Sequence, residues 1–182
     1  MASREQYQAW AQLPQAKAAL DTIAWAEGAG YTTLYGGGTF SGSQHPNIPV
    51  TAGGHTSTAA GRYQFLYETW AGLGLPDFSP ANQDIGALML MDRRGVLDDV
   101  IAGNFQTALE SGGLGKEWAS LPFSPYGQTN HTEAQVMNYY NGALAVYGGS
   151  QPAGSSTAGL LAGVSLPVLF LGGIALFLLL DD

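Results

Sequence analysis

A glutamate beside a tryptophan, where a predicted helix gives way to glycine, is the strongest chemical feature of this chain. Apolar residues at helical spacing predict a helix over 15–27, and Gly28 ends it. Apolar surroundings and the helix C-terminus both disfavour the charged form of Glu27 and raise its pKa. Such a carboxyl group can protonate a leaving oxygen at neutral pH, as cleavage of a glycosidic bond requires. The alternative is an ordinary surface glutamate.

Two further segments carry groups suited to sugar recognition. Tyr63 and Gln64 are predicted on the next helix, and Tyr126 and Gln128 on a later loop. Amides can bond sugar hydroxyls, and flat rings can cover the apolar face of a sugar. A core tyrosine or a loop-stabilising amide is the alternative for each.

The stretch of chain that follows Glu27 carries no second carboxylate. Residues 28–67 contain no Asp or Glu, although a hydrolytic pair needs two carboxyl groups across the scissile bond. The sequence therefore favours a route that uses Glu27 alone. Asp77, Asp84 or Glu68 could still reach a cleft, but helix capping or solvent exposure is the favoured role for each.

Composition excludes several other functions. The net charge is −8 and the six basic residues are scattered, so nucleic acid is not an expected partner. There is no cysteine, and the spacing of His45, His55 and His131 fits no compact metal site. We expect neither a metal nor another cofactor.

The pattern of elements predicts an α+β domain that is mainly helical with a small irregular β-lobe. Glycines, prolines and short β-prone pieces over 31–56 indicate the lobe. Ser79 followed by Pro80 is typical of a helix start. Helices are predicted over 15–27, 59–71, 81–93, 96–102, 105–110 and 132–147.

The chain divides into four predicted parts. Residues 1–14 are a loose polar arm without the apolar run of a signal peptide, and 15–147 form the domain. Residues 148–158 are a flexible Gly/Ser linker. Residues 159–180 carry no charge, and as a helix they would span roughly 33 Å, enough to cross a bilayer. A buried core helix is the alternative.

Seven segments stand in order between about residues 15 and 145. They are AWAEG around Glu27, GYTTLYGGGTF at 30–40, HP at 45–46, STAAGRYQF at 57–65, LGLPDFSPANQD at 73–84, GNFQTAL at 103–109, and EWASLP with SPYGQ within 117–128. In these segments the chain resembles the lambda-type phage endolysins, which are lysozyme-like lytic transglycosylases. There are two departures: Gln44 stands where the family can carry an acidic residue, and the apolar C-terminal run is absent from ordinary soluble members.

The resemblance implies a lysozyme-like fold whose β-lobe and helical lobe flank a glycan cleft. It places the catalytic glutamate on Glu27 and cleft residues on His45, Tyr63, Gln64, Tyr126 and Gln128. The implied activity is cleavage of the MurNAc–GlcNAc β-1,4 bond of peptidoglycan with 1,6-anhydromuramyl products.

Two alternatives stay open for the activity. One is a hydrolytic muramidase or host-lysis endolysin of the same fold, and the other is a non-catalytic glycan-binding membrane protein of the virion. The predicted partners are peptidoglycan strands, a lipid membrane through 159–180, and other virion proteins. Together these features predict a single-pass membrane protein of the virion that acts on the host envelope during genome entry.

Overall fold

The computed structural model describes residues 2–127 and 131–150 of the 182-residue chain. The fold is mainly helical with a small β-lobe, which confirms the α+β prediction for this part of the chain. The helices are α1 (Arg4–Trp10), α2 (Pro14–Glu27), α3 (Tyr67–Ala71), α4 (Pro80–Arg93), α5 (Leu97–Ala102), α6 (Phe105–Glu110), α7 (Gly113–Glu117) and α8 (Glu133–Val146).

The β-lobe lies between α2 and α3. Strands β1 (Val50–Ala52) and β2 (His55–Ser57) pair antiparallel, with Thr51 opposite Thr56. A 3₁₀ turn over Tyr35–Gly37 precedes them. Outside this sheet the lobe is held by isolated bridges, such as the one between Leu34 and Ala60. The irregular character predicted for residues 31–56 is therefore confirmed.

Helix α2 is the central support of the helical lobe. It packs along α8 and also contacts α5. Its buried face includes Ala16, Ala19, Leu20 and Ile23, each at most 2% exposed. Small alanine side chains let neighbouring helices approach this face closely. Helix α2, with the glutamate at its end, is therefore tightly packed.

The prediction of a loose arm over residues 1–14 is wrong for Arg4–Trp10, which form α1. Ser3 caps this helix by accepting a bond from the backbone of Gln6, at 3.3 Å. Tyr7 is 1% exposed, and its hydroxyl donates to Asp92 of α4. A buried aromatic ring and two long-range bonds, from Tyr7 to Asp92 and from Arg4 to Asn82, thus order a segment whose composition is polar.

The helix predicted over 59–71 is also wrong in its first half. Ala60 and Phe65 pair across a tight turn through two backbone bonds of 2.9 and 3.0 Å, and only Tyr67–Ala71 is helical. Gly61 has φ +77°, and a Cβ there would lie 2.7 Å from the ring of Phe78. Close packing that only glycine allows has overridden the helical spacing.

The later helices agree better with the sequence. Ser79 is the N-cap residue of α4 and Pro80 its first residue, as predicted. The side chain that holds this start is Asp77, whose carboxylate accepts from the backbone of Ser79 at 2.9 Å and from Asn82 at 2.7 Å. Helices α5, α6 and α8 lie within a residue or two of their predicted bounds, whereas α7 was not predicted.

No helix within 2–127 or 131–150 is long and apolar enough to cross a membrane. The predicted anchor over 159–180 and most of the predicted linker over 148–158 lie outside the described residues.

Candidate active site

Glu27 is the last residue of α2, as the sequence predicted. Gly28 ends the helix in the left-handed conformation, with φ +62°. The backbone N–H of Gly28 donates to Trp25 at 3.1 Å, and that of Ala29 donates to Ala24 at 3.2 Å. These bonds satisfy the last carbonyls of the helix and fix where the Glu27 side chain leaves it.

The carboxyl group of Glu27 is buried beside a hydroxyl group. Glu27 is 6% exposed, and Ser120 Oγ donates to its Oε1 at 2.5 Å. Burial raises the pKa of Glu27 to about 7, against the opposing effect of the Ser120 bond. Near neutral pH the group is therefore divided between its acid and carboxylate forms, so it can donate a proton in one step and accept one in the next.

Ser120 is a site residue that the sequence reasoning missed. It is 4% exposed and follows Trp118, whose indole N–H donates to the carbonyl of Tyr63 at 3.2 Å. This bond ties the segment after α7 to the turn before α3. Serine has no distinctive sequence signal of its own, and the one available clue was its place within the segment EWASLP.

Trp25 anchors the end of α2 to its surroundings. Its ring stacks on Tyr139 of α8, with centroids 4.7 Å apart, and lies 4.2 Å from His131. The ring of His131 also bonds the backbone of Ala26. The tryptophan beside the glutamate therefore holds helix α2 against α8, which keeps Glu27 in a fixed place.

A cluster of charged and phenolic groups, here called the Arg62 cluster, joins α2, the β-lobe and α4. Arg62 pairs with Asp21 of α2 and donates to Tyr31 at 3.2 Å and Tyr63 at 2.9 Å. Both phenols in turn donate to Asp84 of α4, at 3.0 and 2.6 Å. Since Asp21 and Glu27 share one helix, the cluster positions α2 and its buried glutamate against the β-lobe.

Tyr63 and Gln64 lie in the tight turn and not on a helix. Tyr63 is 1% exposed and belongs to the Arg62 cluster. Gln64 has φ +48°, and its amide donates to Gly61 at 2.9 Å and Thr33 at 3.4 Å. These bonds give both residues a role in holding the turn, and their contact with a glycan stays a prediction.

His45 is buried in the β-lobe, where it is 7% exposed. Its Nε2 lies 2.8 Å from the carbonyl of Phe65, and its Nδ1 accepts from the backbone of Asn47 at 3.2 Å. The ring also lies 4.7 Å from that of Phe78. Burial lowers the pKa of His45, so the neutral ring braces the lobe, and its role in the cleft stays a prediction.

Tyr126 lies on the loop after α7, as expected, and is partly exposed. Its hydroxyl donates to the carbonyl of Lys116 at 3.3 Å. Gln128 falls outside the described residues. Contact of either side chain with a glycan is untested.

From the sequence, three carboxylates could act with Glu27, and each has another role or location in the structure. Asp77 caps α4, Asp84 accepts from the phenols of the Arg62 cluster, and Glu68 is exposed on α3. Burial raises the pKa of Asp84 despite its bonds to both phenols. In the described part of the chain, no three His, Cys, Asp or Glu side chains are grouped to hold a metal ion.

Known proteins are similar to this chain in sequence and in fold. A family model described as Endolysin matches residues 17–147. The endolysin of Escherichia phage lambda is 40% identical over 133 residues, which span 64% of this chain and 83% of that protein. The endolysin of Escherichia phage P2 is 43% identical over 97 residues, which span 51% of this chain and 58% of that protein.

Solved structures of the lambda protein superpose on this chain. Lambda lysozyme complexed with a chitohexasaccharide gives a TM-score of 0.68 at 35% identity, covering 76% of this chain and 96% of the lysozyme chain. A second structure, described as lysozyme from bacteriophage lambda, gives 0.65 at 34% identity over the same shares. This chain has the lambda lysozyme fold, and it belongs to the endolysin family.

Proposed function

We propose that this endolysin degrades peptidoglycan as a lytic transglycosylase that cleaves the MurNAc–GlcNAc β-1,4 bond with Glu27 as its one catalytic carboxyl group. The observation that carries the proposal is a glutamate 6% exposed, with a pKa raised to about 7, followed by a β-lobe without any Asp or Glu over 28–67. Lambda lysozyme, which shares the fold, has been solved with a chitohexasaccharide. That complex supports a glycan strand as the substrate.

The reaction needs one carboxyl group in two protonation states. The acid form of Glu27 donates its proton to the glycosidic oxygen as the C1–O bond of the muramyl sugar breaks. The resulting carboxylate takes the proton of the C6 hydroxyl, and O6 of the same sugar attacks C1. Glu27 is restored to the acid form, a 1,6-anhydro ring closes, and no water is consumed.

Hydrolysis with a second carboxylate is the alternative within the same fold. It would need a group that activates water or stabilises the cation opposite Glu27. Asp77 and Asp84 are occupied by a helix cap and by the Arg62 cluster, and Glu68 is exposed on α3. A non-catalytic glycan binder is less well supported, because binding alone gives no reason to bury an acid.

Product analysis separates the two reactions. We expect peptidoglycan digested by the intact protein to yield 1,6-anhydromuramyl ends, lighter by one water than hydrolytic products, when examined by mass spectrometry. A hydrolytic muramidase acting on the same substrate serves as control. Reducing muramic ends as the sole new termini would assign this chain to the hydrolases.

The charge-free run over 159–180 carries a separate proposal on location. We propose that it anchors the protein in a membrane and that the protein is carried in the virion. The Gly/Ser segment over 148–158 would let the domain search the nearby wall during genome entry. Its length and lack of charge support the anchor, and delivery from outside would bring the domain to its substrate.

The location is tested on purified particles. We expect virions to contain the protein, and its release from them to need detergent and not salt, because burial of an apolar segment is insensitive to ionic strength. Finding it in lysing host cells and not in purified particles would contradict the virion role. The enzymatic assignment would be unaffected.

A further inference from the structure

Phe123 is an aromatic side chain that the fold does not bury. It lies on the loop between α7 and α8 and is 49% exposed. The other large apolar side chains exposed in the described structure are Ile48, Val146 and Tyr147. Phe123 differs from Val146 and Tyr147 because it follows Ser120, the partner of Glu27, by three residues.

The backbone at Phe123 is strained. Its φ of +61° lies in the left-handed region, which glycine and asparagine adopt readily and bulky residues rarely. A buried ring would offset this cost by packing, but nearly half of this one faces solvent. Packing of the ring therefore offsets this cost only in part, and strain of this kind tends to occur at functional sites.

The backbone of the loop lies directly against α7, which restricts its conformation. A Cβ at Gly115 would be 2.8 Å from the backbone nitrogen of Ser124 and 3.0 Å from the carbonyl carbon of Phe123. Pro122 and Pro125 restrict the loop on either side. Close contact with the helix and flanking prolines thus hold Phe123 in its strained, outward position.

The chain places the backbone of Phe123 close to Ser120, the partner of Glu27. Three residues span at most about 10 Å, so the Cα of Phe123 lies within that distance of Ser120, which bonds Glu27. Tyr126, three residues further on, is partly exposed on the same loop. A glycan strand that reaches Glu27 extends for several sugars on either side of the broken bond, and Phe123 lies within that reach.

We propose that Phe123 binds the glycan strand, with its ring against the apolar face of a sugar near the bond that is broken. The inference rests on the proposed function, because it takes the substrate of Glu27 to be a glycan. Aromatic rings gain most from flat apolar partners, and the axial C–H face of a pyranose ring is such a surface. The strained backbone presents the ring outside the core, where a strand could reach it.

The test compares three variants of the full chain on purified peptidoglycan. Phe123→Asn removes the ring and suits the backbone, Phe123→Trp keeps an aromatic face, and Val146→Asn controls for loss of an exposed apolar group on α8. We expect Phe123→Asn to raise KM about three- to tenfold with a smaller change in kcat. Phe123→Trp should restore KM, and the Tm of Phe123→Asn should equal or exceed that of the parent.

Several results would overturn the inference. They are an unchanged KM in Phe123→Asn, a loss of kcat that follows a fall in Tm, or an equal effect in Val146→Asn. Concentration-dependent self-association that Phe123→Asn abolishes without changing KM would assign the ring to contact between copies. The proposed function is tested separately: it fails if Glu27→Gln keeps its lytic activity. In that case the ratio of KM between Phe123→Asn and the parent still decides the role of Phe123.

Discussion

Glu27→Gln is expected to abolish cleavage of peptidoglycan while leaving the fold intact. The amide keeps the shape of the side chain but has no proton to transfer, and loss of a general acid costs about 10²- to 10⁴-fold in rate. Clearing of purified cell walls measures the effect. Substantial residual clearing by this variant would remove Glu27 from the catalytic role.

The same variant should be more stable than the parent at neutral pH. The native state holds its proton up to a pKa of about 7, whereas the ordinary pKa of a glutamate, which applies to the unfolded chain, is 4.5. Between these values the native state binds more protons than the unfolded state, so the stability of the parent falls as pH rises. We expect the free energy of unfolding of Glu27→Gln to exceed that of the parent by up to about 3 kcal/mol above pH 7.

Glu117→Gln is the matched control, because Glu117 is also 6% exposed. Burial raises the pKa of Glu117 as well, but its carboxylate accepts from Arg94 at 2.6 Å, which opposes that shift. The amide should therefore bring a smaller gain in stability than Glu27→Gln. Clearing activity should persist in this variant. Denaturation at about pH 4 and pH 8 distinguishes the two glutamates, since the gain from Glu27→Gln should vanish at the lower pH.

Arg62→Met is expected to lower the free energy of unfolding more than any other variant considered in the Discussion. Arg62 bonds Asp21 and two phenols and lies 3.7 Å from Asp84. Removing it leaves two carboxylates, with side chains 24% and 25% exposed, without their cation. Allowing for partial solvent screening, we expect a loss of about 2–4 kcal/mol in the free energy of unfolding.

Two further variants sharpen this test. Arg93→Met removes an exposed charge near the end of α4 and should change stability little. Arg62→Lys should lie between the parent and Arg62→Met, because an ammonium group cannot reproduce the fork of bonds that a guanidinium makes. A loss below about 0.5 kcal/mol in Arg62→Met would show that the Arg62 cluster does not hold the lobes together.

Local features of the sequence predicted the position and the burial of Glu27. A helix with a glycine stop determines its place, and neighbouring apolar residues determine its burial, so short-range reasoning was sufficient. The start of α4 was predicted for the same reason, because Ser79 and Pro80 are local signals.

Long-range contacts explain what the sequence could not predict. Ser120 reaches Glu27 from a distant part of the chain, and no local pattern pairs them. Helix α1 forms because Tyr7 enters the core. The turn at Gly61 replaces a helix because Phe78 and Gln83 pack against it. In each case the fold brings together groups whose pairing no spacing in the chain could reveal.

In the proposed reaction, Glu27 cleaves the glycan without a second carboxylate and without water. Digestion of peptidoglycan by the intact protein in ¹⁸O-labelled water, with products read by mass spectrometry, tests it most directly. A transglycosylase closes the ring with its own O6, so the new muramyl ends should be 1,6-anhydro and carry no label. New muramyl ends that are reducing and carry ¹⁸O at C1 would contradict the account and show that water is the nucleophile.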